Sequence, residues 1–312
     1  MPLAINWAEE ARITGRGIVQ LMRIVPLSIW SVPTILFGFF FRRRVDAHWA
    51  LPLALALAGA LLLQGLITHG LNDLYDWQSG TDKASPGIIS GGSKVLNQGL
   101  MNPKGMLLVV MGAVIIYGID ASAMAMARGW SVLAWGLAGL AGSVGYSLPP
   151  FRLSYRAGIG EWAALFPAMA SGVVLGSLAA DPRLDGRVML AATWYGVFCV
   201  ASVMQHHFAD MEADWASAPP KHTTPAFWRY ALKRSPKEPV LAYEILALGL
   251  AMAGSIHAAR WFLPCAAASL AAMAVTVTTP LEGSVSVLTR RDLAIKALVP
   301  VVLVAVIGLR VG

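Results

Sequence analysis

Residues 49–82 read WALPLALALAGALLLQGLITHGLNDLYDWQSGTD, and this stretch decides the fold class. Its first part, 49–71, is an apolar run of the length a helix needs to cross the hydrocarbon core of a bilayer. Its end is acidic, with Asp73, Asp76 and Asp82 following Asn72. Asp73 and Asp76 stand three residues apart, so their carboxylates project from one helix face about one turn from each other. Acids beside hydrocarbon are expensive to maintain and point to function by default. A second cluster of the same kind, Asp210, Glu212 and Asp214, closes another apolar run over 187–209.

The rest of the chain repeats this alternation of apolar span and polar connection. Apolar windows over 24–41, 49–71, 104–120, 130–148, 160–179, 187–209, 240–257, 261–279 and 293–311 predict an all-α polytopic membrane protein. About nine transmembrane helices would form a bundle around a central cavity, in a single domain over 1–312. Composition agrees: 57% of the 312 residues are hydrophobic, only 13% are charged, and the mean hydropathy is +0.62. The segment 1–22 mixes Glu9, Glu10, Arg12 and Arg16 with apolar residues and predicts an amphipathic helix on the membrane surface rather than a signal peptide. Glycines at 136, 139, 142 and 145 are spaced for close helix contact. Cys199 and Cys265 lie in apolar runs and read as small core residues.

The net charge of +7 does not point to nucleic acid, because the basic residues are scattered over connections instead of forming one patch. With the N-terminus inside, 16 of the 24 Lys and Arg fall on the face that carries both acidic clusters. That bias predicts a cytoplasmic active site in a bacterial inner membrane, although Arg42, Arg43 and Arg44 run against it. Two long polar connections, about 73–103 and 210–239, follow the acidic helix ends and predict cytoplasmic cap loops over a site.

Clustered carboxylates repel one another unless a cation lies between them. Mg2+ is the natural choice, since it takes oxygen ligands and leaves positions for phosphate oxygens. Asp73, Asp76, Asp82, Asp210 and Asp214 are therefore the candidate metal ligands, and a diphosphate ester the candidate substrate. Metal binding would make the diphosphate a leaving group. The carbocation left behind calls for aromatic faces, for which Tyr75, Trp77, Tyr146, Phe151, Tyr155, Trp194 and Tyr195 are nearest in sequence. Lys94, in Ser90-Gly91-Gly92-Ser93-Lys94, together with Arg152, Arg156 and Lys221, would hold the diphosphate. Asn72 can serve a metal-bound water. His206 and His207, a turn before Asp210, are suited to accept a proton from an acceptor.

These residues resemble the UbiA superfamily of intramembrane prenyltransferases. NDLYDWQSGTD, Asn72 to Asp82, is similar to the first family signature, and Asp210 to Asp214 to the second. The segment Tyr146-Ser147-Leu148-Pro149-Pro150-Phe151-Arg152-Leu153 and the loop Gly91 to Pro103 also resemble family segments. The interval from Asp76 to Asp82 looks most like that of 1,4-dihydroxy-2-naphthoate (menaquinone) prenyltransferases. The resemblance implies a nine-helix bundle and Mg2+-dependent ionisation of an isoprenyl diphosphate, followed by prenyl transfer to an aromatic acceptor. Cyclisation of the prenyl chain, or transfer to a non-aromatic acceptor, would use the same metal site. A transporter would instead place its acids near the membrane midplane.

Overall fold

The computed structural model describes residues 5–42, 44–85, 92–257 and 260–311, and among these the chain is helical with no strand. The helices are α1 (Gly15–Met22), α2 (Ile24–Phe40), α3 (Ala50–Ser79), α4 (Thr81–Ala84), α5 (Pro103–Arg128) and α6 (Ser131–Ser147). They continue as α7 (Ile159–Ala180), α8 (Gly186–His206), α9 (Met211–Ala216), α10 (Thr224–Tyr230), α11 (Lys237–His257), α12 (Leu263–Thr278) and α13 (Val285–Val311). Among the described residues, seven helices are long and apolar enough to cross a membrane. The pair α1 and α2, bent by 41°, adds an eighth if taken as one span. The sequence predicts nine. The difference is α6, whose 17 residues extend only about 26 Å at the helical rise, short of a full hydrocarbon core.

The core lies between α7 and α8. The helix over Gly186–Ala209 is 78% buried and α7 56%, whereas the other long helices bury much less and turn apolar residues such as Ile115, Ile119, Ile256 and Val304 outward. An exposed apolar belt of this kind is the surface a bilayer covers. At the seam between α2 and α7 the backbones touch. A methyl group at Gly38 would sit 1.9 Å from the Val173 carbonyl oxygen, and one at Gly176 would sit 2.0 Å from that of Ile35. Only glycine permits that approach. Trp194 and Tyr195 pack in this core against Phe37, with the Trp194 Nε1 donating to Ser269 and the Tyr195 hydroxyl engaging Thr34, so neither reaches the acidic end.

Two π-helical stretches, Leu27–Ser31 in α2 and Leu61–Thr68 in α3, pack on each other through a Ser31 to Gln64 hydrogen bond. The wider turn rotates Trp30, Ser31, Gln64 and Thr68 into the bundle's cavity. Residues 5–14 are irregular and are held to the start of α5, where Asn102 Oδ1 accepts from the backbone of both Arg12 (3.0 Å) and Gly105 (2.9 Å). The N-terminal helix is thus the eight-residue α1, with Leu21 buried beneath it.

At the end of the bundle away from the acids, Arg42 pairs with Asp181 (3.2 Å) and Asp185 (3.0 Å), and Arg128 with Asp46 (2.8 Å). Arg42 therefore has its charge matched locally, which explains how an arginine persists on the face that otherwise carries few. Arg43 lies outside the described residues.

Candidate active site

The acidic end is built where α3 stops. Gly80, with φ +85°, ends the helix in a left-handed cap and turns the chain into α4, carrying Asp82 back beside Asp73 and Asp76. The second cluster arrives from α8 through the short α9. A direct bond from the Ser85 hydroxyl to Asp210 Oδ1 joins the two connections. Asp73, Asp76, Asp82, Asp210 and Asp214 are all buried.

Each carboxylate has a distinct set of partners. Asp73 Oδ2 accepts from the Ser93 backbone (3.0 Å) and from its hydroxyl, while Oδ1 is buried with no partner. Asp76 Oδ2 accepts from Lys221 Nζ (2.6 Å) and Asn72 Nδ2 (3.0 Å), and Oδ1 from the Tyr155 hydroxyl (3.1 Å). Asp82 abuts Gly92, where a Cβ would fall 2.2 Å from its Oδ2. Asp214 Oδ2 accepts from Thr223 Oγ1 (3.1 Å) and lies 3.3 Å from His207 Nδ1.

Lys221 binds the clusters together. Its backbone N–H donates to the Asp214 carbonyl (2.8 Å), while its ammonium reaches across to Asp76. Burial opposes that charge, yet Asp76 and Asp214 outweigh it and hold the lysine pKa well above its ordinary value. Asp82 shifts the other way from a normal carboxylate: burial first, then the charges of Asp76 and Asp73, push it up to about 8. The site is short of positive charge. Among the described residues no three Asp, Glu, His or Cys side chains converge as a ready-made metal shell, because hydroxyls and the Lys221 ammonium take the carboxylate oxygens.

The other predicted residues divide. Lys94 reaches the Asp82 carbonyl oxygen. Arg152 stacks over the Tyr155 ring, 4.0 Å from its centroid, with Tyr75 at 5.7 Å. Tyr146 lines the cavity just inside the site. Arg156 stays at the surface, donating to the Pro150 carbonyl oxygen (3.2 Å). Ser90 and Gly91 lie outside the described residues. The two histidines part company: His207 faces Asp214, whereas His206 turns to α13, where Nδ1 lies 2.8 Å from Asp292 Oδ2 and 2.7 Å from Lys296 Nζ. Sequence reasoning passed over Ser85, Ser93 and Asp292. Asp292 and Lys296 did carry a signal, an acid and a base four apart in a spanning helix.

Below the acids a largely apolar cavity of about 160 Å3 runs into the bundle from His69 and Tyr146, past Gln64 and Leu63, to Met124 and Val132. Tyr146 at its head lies beside Asp76, Asp214 and Lys221, and Asp120 lines its far end near Met124, so a largely apolar space adjoins the acids, which suits an amphiphile with an anionic head and a hydrocarbon tail.

The profile of the UbiA prenyltransferase family matches residues 31–281. No curated protein matches. Among solved structures, a UbiA homolog from Archaeoglobus fulgidus bound to GPP and Mg2+ aligns with a TM-score of 0.67 at 16% identity, over 94% of this chain and 99% of that one. The apo structure of a UbiA homolog from Aeropyrum pernix K1 aligns with a TM-score of 0.66 at 16% identity, over 90% and 97%. A structure of digeranylgeranylglyceryl phosphate synthase in membranes aligns with a TM-score of 0.64 at 14% identity, over 94% and 97%. At these identities the structures speak for the fold. With a family profile spanning most of the sequence and two acid clusters meeting over an apolar shaft, this chain belongs to the UbiA prenyltransferase family.

Proposed function

We propose that the protein transfers a prenyl group from an allylic isoprenyl diphosphate to an aromatic acceptor of the 1,4-dihydroxy-2-naphthoate type. Diphosphate is released, in a quinone-type lipid pathway. The observation that carries this reading is the joining of two buried acid clusters through Lys221 and Ser85, beside an apolar cavity that begins at Tyr146. The residues fit Mg2+: the donors are hard carboxylate oxygens, Asp73 Oδ1 is buried without a partner, and Asp82 lies close to the charges of Asp76 and Asp73. Asp73, Asp76, Asp82, Asp210 and Asp214 would hold the ion. The A. fulgidus homolog bound to GPP and Mg2+ supports the pairing of metal and allylic diphosphate. When bound, Mg2+ neutralises the charge that develops on the departing diphosphate.

The chain's own groups do the rest. Lys94 and Lys221 supply positive charge where the diphosphate lies, and Ser93 and Asn72 fix the carboxylates in place. The stack of Arg152 on Tyr155 and Tyr75 closes one wall. Tyr146 stands between head and shaft, with its ring available to an allylic cation. The apolar shaft keeps water from the reacting carbon. The excess of Lys and Arg on this face favours a cytoplasmic mouth in a bacterial inner membrane.

The test uses the purified protein with geranyl diphosphate, with and without Mg2+ and 1,4-dihydroxy-2-naphthoate. Diphosphate release that requires Mg2+, with a prenylated naphthoate found by mass spectrometry, is the expected result. Release without metal, or none at all, overturns the reading, and a cyclic hydrocarbon formed without acceptor replaces it with cyclisation.

A further inference from the structure

A second cavity of about 130 Å3 joins the main one at Gln64, Thr68, His69 and Tyr146, and leads away between α2 and α13. Its polar wall comes from His206 and Lys296, with Arg23 beside them. Behind them lies Asp292. The Lys296 ammonium and His206 Nδ1 both contact Asp292 Oδ2, and His206 and Lys296 both line the cavity. Asp292 Oδ1 is buried with no hydrogen-bond partner, and Asp292 and Lys296 are 4% and 3% exposed. A pair of charges whose only task was to hold α8 to α13 would be satisfied on both carboxylate oxygens, because an orphaned buried oxygen is costly. Here one oxygen is left over, and its two partners front a cavity that opens onto the place where the allylic carbon would lie.

We infer that His206, Asp292 and Lys296 form the seat for the head group of the second substrate, a hydroxylated aromatic carboxylate. This rests on the prenyl-transfer reading above. The Lys296 ammonium and the Arg23 guanidinium both belong to residues that line the cavity, which suits a carboxylate. Asp292, held behind the wall by Lys296 and His206, positions those two groups, and the His206 imidazole hydrogen-bonds a hydroxyl of the same ring system. The apolar remainder of the wall, Ile29, Trp30, Leu165, Val203 and Leu293, takes the ring faces. The seat adjoins the diphosphate site without sharing a carboxylate with it. His206 thus belongs to the acceptor side, and its neighbour His207 to the acid cluster.

The measurement compares 1,4-dihydroxy-2-naphthoate with 1,4-dihydroxynaphthalene, which lacks the carboxylate, in geranyl transfer by wild type, Lys296→Met, Asp292→Asn, and the double variant of both. The double variant removes the two charges together and leaves no unpaired buried ion, so it keeps the test valid if a single variant misfolds. Wild type is expected to favour the carboxylated acceptor. Lys296→Met and the double variant lose that preference and raise the acceptor KM by about tenfold or more, while the KM for geranyl diphosphate stays within about twofold. Lys296→Arg restores part of the preference. Geranyl alcohol accumulates in the variants, because ionisation continues without capture.

A wild type with no preference overturns the inference, as do variants that keep it or that raise both KM values together. If wild type releases no diphosphate in the presence of Mg2+, the prenyl-transfer reading itself has failed, and the two failures are told apart by that control.

Discussion

Asp73 and Asp76 lie one turn apart yet differ in what they lack. Asp76 has three protein partners, while Asp73 keeps a bare buried oxygen. Both should matter to ionisation: Asp73→Ala and Asp76→Ala are each expected to lower Mg2+-dependent diphosphate release by at least about a hundredfold, or about 2.7 kcal/mol of barrier. Near wild-type release in both would exclude them as metal ligands. Asp82 brings a pH dependence. Its carboxyl titrates at about 8 in the fold against 3.8 for a free carboxylate, so between those values the folded protein holds a proton that the unfolded chain has lost. Its share of stability is complete below the lower value and declines as pH rises through the window. In Mg2+-free detergent the unfolding midpoint should fall across that range, and Asp82→Asn should flatten the fall. An unchanged slope in that variant would contradict the assignment. Which carboxylates pair with which partner was not legible in the sequence. The acids declare themselves through their spacing, but Ser93 and Ser85 come from a connection whose course only the fold fixes.

Helices carry the legible part. Apolar length alone locates the spanning segments, since bilayer thickness sets one length for all of them. What length could not show is the bend between α1 and α2, or the π-helical turns that aim Gln64 and Thr68 inward, because both arise from packing between elements distant in sequence. The shortness of α6 was hidden for a related reason: apolar residues continue past its end at Leu148, but the chain leaves the helix there. Glycine spacing told part of the story: in the run at 136, 139, 142 and 145, a Cβ at Gly142 would fall 2.4 Å from the Ala164 carbonyl oxygen of α7. The seam of Gly38 and Gly176, by contrast, joins two helices whose contact no local pattern announces. Gly176→Ala should destabilise the bundle by about 1–3 kcal/mol through overpacking against the Ile35 carbonyl. Loss of thermal midpoint in detergent measures it, with Gly249→Ala, at an open position, as the neutral control.

For the molecule as a whole, the two ends differ in how charge is arranged. One end locks arginines onto aspartates of neighbouring connections, and the other gathers acids around Lys221, with Lys94 beside Asp82. In a background without Cys199 and Cys265, a cysteine at the exposed Arg183 should react with an impermeant reagent in intact cells. One at Ser217 should react only after lysis, and the reverse pattern would invert the topology. The lysine end has a further consequence. An ammonium seated among carboxylates makes the pocket resemble an ion-exchange resin supplied with its own counter-ion. The protein can then mature in the bilayer without waiting for a divalent ion. A cation that comes to Asp76 must trade places with a tethered group, so loading there is governed by how readily that tether lets go.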